Sequence, residues 1–589
     1  MKSTMKRYFT YFITVLMLSS CGDFLDTENP TKASSGNFPQ TKEQAEMLLA
    51  GVYNGLNRIS AKPYSSFYSV SLLASDDMFG GGGTGDKDAQ AVDLFCVDSE
   101  NYFQPFWKAS YIGIARANNA IATLPRCQDY ADEAEKNQLL GEAYFLRGLY
   151  YYGLASQFEN IPLLLKQEAE NIPQSNPKDT WKQILLDFKT AVELMYSKPV
   201  GFRQDGHANK WSAQGFLARA FLFYTGFYEN RQGKQNIVVD LPDGSVLTTE
   251  DVQKYLDDCV KNSGYKLLDK YQNLWSYTNR FTKNDYTYTA DSDYHWAEDD
   301  GKVNEESMFA IKYNEFSNYN EELKGYSNMY CLYYGIRNDK SEMTFPFMRG
   351  WGYGTVSPAF VREWRIAEPN DPRLAASICY IPEELPNYDR KEGWEDWVQE
   401  TDYLNKKLSP IGAKDEKGEI KLFCHLMYDN DAWVVEDKDI NNVQDLVLLR
   451  YADVLLMRSE IYEDADKGLN VVRQRVGLSP VTYSLEAIQN ERRWELCFEG
   501  VRYNDIRRWG QGGGNNNGYT ESVLGAQQNE AIFYAGEPDL NTPHNGGYIA
   551  RYQATNGFFK IPESEILKSE GVLKQNKGWG SESLYLGWK

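Results

Sequence analysis

From Thr41 onward the apolar positions recur with a helical period. In TKEQAEMLLAGVYNGLNR they fall at Ala45, Leu48, Leu49 and Val52, one stripe on one face. Thr41 with Gln44 three residues later has the form of a capping box and predicts where this helix begins. The same period returns in YFQPFWKASYIGIARANNAIATL, NQLLGEAYFLRGLYYYGLASQF, TWKQILLDFKTAVELMY and NKWSAQGFLARAFLFYTGFY. Gly141, Ala143, Gly148 and Gly153 recur among aromatic residues, which suits close helix pairing. The pattern predicts stacked helix-turn-helix units loosely of tetratricopeptide type, without a strict repeat of about 34 residues. From about Asn262 to Asp445 the texture changes, and short aromatic pieces alternate with Gly, Asn, Asp and Pro. Long loops carrying their own aromatic residues are usually functional or packed over a scaffold. Helices return at DLVLLRYADVLLMRSEIYEDA and SLEAIQNERRWELCFEG, the latter with Ser484 placed to cap it and Gly500 placed to stop it. GQGGGNNNGY reads as a flexible, exposed loop.

The first twenty residues follow a different rule. Lys2, Lys6 and Arg7 precede YFTYFITVLMLSS, an apolar run of secretory length that is too short to span a bilayer. It ends in Leu18-Ser19-Ser20-Cys21, which resembles the bacterial lipobox rather than an A-x-A cleavage site. The expected mature chain starts at Cys21, lipidated on sulfur, and several acyl chains hold it to a membrane that it does not cross. The acidic GDFLDTE that follows fits export to the outer leaflet, as in Bacteroidetes lipoproteins. The expected organisation is a lipoprotein signal peptide at 1–20, a lipidated tether at 21–40, a helical region at 41–261 and a loop-bearing region at 262–589.

Composition narrows the chemistry. The chain has 589 residues, 42% hydrophobic and 25% charged, as in folded proteins of more than one structural unit. A formal net charge of −21 repels phosphate backbones and argues against nucleic-acid binding. Eight cysteines without a CxxC pair and four histidines argue against a zinc site. GGGGTG at Gly80–Gly85 fits a phosphate-binding fingerprint, but acidic segments flank it where a strand and a helix are needed, so it reads as a flexible loop. No nucleophile elbow, P-loop or zincin motif is present. The acidic loops DSDYHWAEDD and YDNDAW are candidates for calcium, with solvated loops as the default, since neither has the EF-hand order.

Five stretches together resemble the SusD/RagB family of Bacteroidetes outer-membrane nutrient-binding lipoproteins. They are Cys21 with Phe24-Leu25-Asp26 and Pro30, EAYFLRGLYYYGLASQFENIPLLL, LRYADVLLMRSEIY, ERRWELCFEGVRYNDIRRWG and FFKIPESEI. They fall in the family's order over nearly the whole mature chain; near the end QNKGW stands where the family often has an NPG-like stretch. The resemblance implies a mostly α, SusD-like fold, with four tetratricopeptide-like helix pairs as a superhelical scaffold and a loop-rich, mixed ligand-binding region. It also implies a lid role on a TonB-dependent, SusC-like outer-membrane transporter at the cell surface. Arg492, Arg493, Glu495 and Glu499 recur at helical pair spacing and, with Arg502, Arg507 and Arg508, read as an ion-pair network that locks this segment onto its neighbours.

Aromatic rings flanked by short polar side chains suit sugars, whose C–H faces lie on rings while their hydroxyls need polar partners. Trp275, Tyr286, Tyr288, Trp296, Arg349, Trp351 and Tyr353 are the candidate ligand residues, with Asp76 and Asp77 as polar candidates near the glycine loop. The function expected is glycan capture without catalysis and without a cofactor. The rivals are a peptide binder on the same scaffold, a surface glycosidase and a purely structural subunit of the transporter.

Overall fold

The computed structural model describes residues 38–585 except 167–170, 197–204, 231–235, 315–316, 318–323, 339, 391–398, 428–441, 511–517, 535–536 and 541–546. The signal peptide, Cys21 and most of the tether lie outside the described residues.

The periodic stretches fold as helices α1 (Lys42–Ser60), α2 (Phe67–Leu73), α3 (Lys87–Asp93), α4 (Gln104–Thr123), α5 (Glu133–Phe158), α6 (Pro177–Leu194), α7 (Lys210–Phe223) and α8 (Thr249–Asn262). Thr41 caps α1 by accepting from the Gln44 N–H. The reciprocal half of the box is displaced by one residue, because the Gln44 carboxamide accepts from the N–H of Gln40 at 2.7 Å. The stripe residues Ala45, Leu49 and Val52 are buried. Packing runs in series: α1 on α4, α4 on α5, α5 on α6, α6 on α7 and α7 on α8. The small residues of α5 are what let it sit between two neighbours. A Cβ added at Gly148 would stand 3.0 Å from the Phe188 ring, and one at Gly153 3.0 Å from Phe106. At the centre of α5, Arg147 is buried and donates to Asp187 Oδ1 at 2.6 Å and to Asn118 Oδ1 at 3.0 Å.

The series resumes 188 residues after α8, where Tyr451–Tyr462 packs on α8 and on Leu485–Leu496. Strands are few. Ser307–Ile311 pairs antiparallel with Leu446–Arg450 through an irregular register, tying both ends of the loop-rich stretch to the helical array. That stretch has a second apolar cluster of its own, which includes Tyr271, Trp275, Tyr277, Tyr286, Trp296, Phe347 and Phe423. Among the described residues the seven cysteines are buried and unbridged.

A lattice of buried ion pairs joins these parts. Glu495 receives Arg373 at 3.0 Å, Arg450 at 2.9 Å, and Arg475. Arg450 also reaches Glu306 at 2.5 Å and Glu499 at 2.7 Å. Burial opposes ionisation of Glu495, yet the charges of Arg475, Arg450 and Arg373 overcome it and hold the carboxyl well below its ordinary range. Arg492 pairs with Asp453 at 2.6 Å and Asp505 at 2.8 Å, and Arg508 with Glu460 at 2.8 Å. Apart from Asp505, which Arg508 also meets along its own helix at 2.8 Å, these partners lie outside the arginine-rich block, so it is chiefly a clasp between elements. Its helix also ends earlier than expected. Leu485–Leu496 is capped by Ser484, which accepts from Ala487, but it stops four residues before Gly500. Phe498 and Gly500, both with positive φ, then turn the chain into Arg502–Gly510.

Candidate functional site

The glycine loop is an ordered, buried turn, in contrast to the loose loop expected from its composition. Gly81 and Gly82 adopt φ of 73° and 74°. The Gly82 N–H donates to the Gly352 carbonyl at 2.8 Å, and the Gly354 N–H donates to the Gly80 carbonyl at 3.0 Å. Gln90 closes the turn from within by donating to the Gly81 carbonyl at 2.9 Å. A Cβ on Gly81 would collide with the Gly352 carbonyl oxygen. The close backbone approach therefore requires glycine, and its result is to fix residues 350–355 beside residues 80–88.

Five aromatic residues assemble on this clasp. The Tyr333 ring lies 4.4 Å from Trp351, 5.1 Å from Tyr353 and 5.7 Å from Tyr64, and Tyr64 lies 5.1 Å from Tyr102. Trp351 and Tyr64 are half-buried, while Tyr102, Tyr333 and Tyr353 form the floor. Arg337 donates to Asp86 Oδ2 at 2.6 Å and to the Trp351 carbonyl at 3.0 Å, and the Tyr353 hydroxyl donates to Asp86 Oδ1 at 3.3 Å. Asp88 stands nearby; burial, then the charges of Asp98 and Asp86, push its carboxyl up to about 6. Trp351 Nε1, the Tyr102 hydroxyl and Asp88 Oδ1 are buried polar atoms of this cluster with no hydrogen-bond partner among the described residues. Buried polar groups are normally paired, so an aromatic surface with unmatched donors and acceptors is suited to a ligand that carries both C–H faces and hydroxyls.

Of the residues singled out from sequence, the structure brings Arg349, Trp351 and Tyr353 to this platform's segment. It places the others elsewhere. Asp76 and Asp77 are buried under the arginine clasp. Arg502 Nε is 2.8 Å from Asp76, and Arg493 reaches Asp76 at 2.9 Å and Asp77 at 2.8 Å. Burial alone would raise both carboxyls. The charges of Arg493 and Arg502 hold Asp76 down at about 2, and Asp77, repelled by Asp76, stays up at about 6. These two aspartates tie the clasp together and are committed to arginines.

Tyr286 is buried in the second core with its hydroxyl on Glu384. The Lys406 ammonium lies 3.9 Å from the Tyr288 ring centre, and Lys407 lies 4.6 Å from that of Trp275. Tyr286, Tyr288 and Trp275 thus pack the loop-rich region against two buried lysines. Trp296, only 4% exposed, lines a separate cavity of about 500 Å³ together with Tyr265, Glu298, Lys312, Tyr313 and Asp445. Of the two calcium candidate loops, YDNDAW lies outside the described residues. Among the described residues no cluster of three or more His, Cys, Asp or Glu side chains is placed to hold a metal.

The platform residues that sequence reasoning passed over are Tyr64, Asp86, Asp88, Tyr102, Tyr333 and Arg337. Asp86 and Asp88 directly follow the glycine run, so a reading of that run as a tight turn against another backbone would have drawn attention to them. The tyrosines come from separate segments and carry no spacing signal.

Residues 261–579 match the model of the SusD family, and residues 23–222 match a family described as starch-binding, associating with the outer membrane. SusD-like protein P2 of Formosa agariphila is 22% identical over 611 residues, covering 98% of this chain and all of that protein. SusD-like protein P38 of the same organism is 23% identical over 537 residues, covering 85% of this chain and 90% of that one. Among solved structures, a laminarin-binding SusD-like protein superposes with a TM-score of 0.65 at 23% identity, over 92% of this chain and all of that one. Surface glycan-binding protein A from Bacteroides thetaiotaomicron in complex with laminarihexaose superposes with a TM-score of 0.64 at 18% identity, over 91% of this chain and all of that one. These likenesses establish a shared fold.

Proposed function

We propose that this chain, which belongs to the SusD family, is a glycan-binding lipoprotein of the outer-membrane surface that captures an oligosaccharide on the aromatic platform. The observation that carries the reading is the coincidence of half-buried Trp351 and Tyr64 with three unmatched polar atoms in one cluster. A pyranose laid on Trp351 supplies C–H groups to the ring, and its hydroxyls serve as acceptor to the indole N–H and as donor to Asp88. Arg337 is already matched by Asp86, so its part is to hold the clasp and the Trp351 backbone in place. The names of similar proteins support this reading: they describe laminarin-binding and surface glycan-binding proteins. Anchoring through Cys21 and delivery of the captured glycan to a TonB-dependent, SusC-like transporter complete the proposal, with residues 41–261 as helical support and 262–589 as the region bearing the loops. Binding alone is proposed, without hydrolysis.

The test is affinity electrophoresis of the mature protein against a panel of soluble polysaccharides, repeated with Trp351→Ala. Retardation by at least one glycan, lost in the variant while its melting temperature holds, is the expected result. Absence of retardation across the panel, with peptide binding seen by calorimetry, would overturn the sugar reading. Release of reducing ends by the purified protein would overturn the non-enzymatic one.

A further inference from the structure

The cavity beside Trp296 is independent of the platform and is built from different chemistry. Its volume of about 500 Å³ is within the range of small-molecule sites. Its walls are mixed polar and apolar, with Tyr265, Trp296, Phe309, Tyr313 and Phe423 among them and Phe423 held edge-on to Trp296 at 5.3 Å. Two carboxyls, Glu298 and Asp445, face it. Lys312 pairs with Asp445. Glu298 has no such partner. Among the described residues its one hydrogen bond is from Asn304 Nδ2 at 3.4 Å, and no lysine or arginine stands within ion-pair distance of it. Of the other charged groups around the cavity, His207 bonds Glu142 at 2.7 Å and Lys302 stands on the exposed rim.

A narrower recess shares Trp296, Glu298, Gln444 and Asp445 with the cavity. There Lys407 and Arg450 are matched by Glu499, each at 2.7 Å. Trp275, 9% exposed, lines the recess with an indole N–H that no group among the described residues accepts. Burial, then the charge of Asp445, pushes the Glu298 carboxyl up to about 8 against the smaller opposing effects of the Lys312 charge and the Asn304 hydrogen bond.

We propose that this cavity is a second binding site, for a small organic cation that presents a primary ammonium to Glu298 and Asp445 and lays its body against Trp296 and Tyr265. An ammonium there supplies the charge that the acid pair lacks, and the ring faces attract cations. The cavity's size admits a hexose-sized body, and the unaccepted Trp275 N–H offers a donor to a ligand oxygen in the recess. An amino sugar combines these features.

The probes are glucosamine, N-acetylglucosamine and glucose, titrated calorimetrically into the mature protein at one fixed ionic strength. The expected result is binding of glucosamine, with the N-acetylated and neutral sugars weaker by about tenfold or more. Glu298→Gln should lose about tenfold in glucosamine affinity, while keeping a melting temperature no lower than the parent's and its glycan retardation at the platform. Glu298→Asp, which keeps the charge, should retain part of the affinity. Equal heats from glucosamine and N-acetylglucosamine, no glucosamine binding, or binding unchanged in Glu298→Gln would each overturn the proposal. So would calcium alone binding in a Glu298-dependent way when glucosamine does not. Platform retardation measured on the same samples separates failure here from failure of the glycan reading.

Discussion

Glu495 is buried and Glu298 half-buried, but three arginines pair with the first, whereas among the described residues no lysine or arginine pairs with the second, on which Lys312 acts only from beyond ion-pair distance. Their carboxyls respond in opposite directions: Glu495 is held ionised, and Glu298 is pushed up to about 8. Acidity of composition is common to both regions, so it explains neither. What separates them is the ratio of cations to acids in each neighbourhood. In the clasp that ratio is met by guanidinium groups in bidentate reach, which makes the region structural. At the cavity, and in a milder form at Asp88, it is left unmet on a surface that a ligand can reach.

The largest effect should come from breaking the matched side. Glu495→Gln leaves Arg373, Arg450 and Arg475 without their shared counter-charge and should cost about 3–5 kcal/mol, read as a fall in melting temperature. A loss below 1 kcal/mol would mean that the clasp is as loosely balanced as the cavity. Next comes Gly81→Ala, which forces an L side chain into a positive-φ position against the Gly352 carbonyl and should cost about 1–2 kcal/mol. It should also weaken glycan retardation, because the platform rests on that contact.

Trp351→Phe should be milder than the alanine variant, since it keeps a six-membered aromatic face while losing the N–H and the five-membered ring that carries it. About 1 kcal/mol of glycan affinity should be lost in calorimetry if that donor meets a hydroxyl. The most discriminating effect is in pH. Asp453 is depressed to about 2: burial opposes this, but the charges of Arg492 and Arg219 prevail. Its contribution to stability is therefore present above the ordinary carboxylate range and lost as pH falls toward 2. Glu298 runs the other way. Its folded form retains the proton up to about 8, so stability declines as pH rises from about 4.5 to 8. Glu298→Gln should remove that decline, giving melting temperatures that match the parent near pH 4.5 and exceed it at pH 8. Parallel melting curves for the two proteins across this window would place Glu298 among the matched acids.

Much of the scaffold was legible because helices leave a period in the chain. The α1 stripe, the Thr41 and Ser484 caps and the small residues of α5 all appear where pattern and size placed them. The arginine block was legible as a network, but its partners were not, since Asp76 and Asp453 are far from Arg502 and Arg492 in sequence. The same limit explains the site. Asp76 and Asp77 differ from Asp86 and Asp88 only in what folds over them, and an aspartate's neighbours in space leave no trace in its neighbours along the chain. Trp275 and Trp351 likewise sit in similar aromatic and polar text. One packs under Lys407 and the other stays half-buried on the clasp, a distinction set by burial and not by composition.

The contact between Arg337 and Asp86 spans 251 positions of chain. Its two halves are synthesised far apart in time, so a nascent or truncated product that stops short of residue 337 carries the glycine turn without the tryptophan that faces it. On the proposed reading, sugar recognition is thus a property of the finished molecule only, and a prematurely terminated copy would be blind to its ligand instead of a weaker competitor for it.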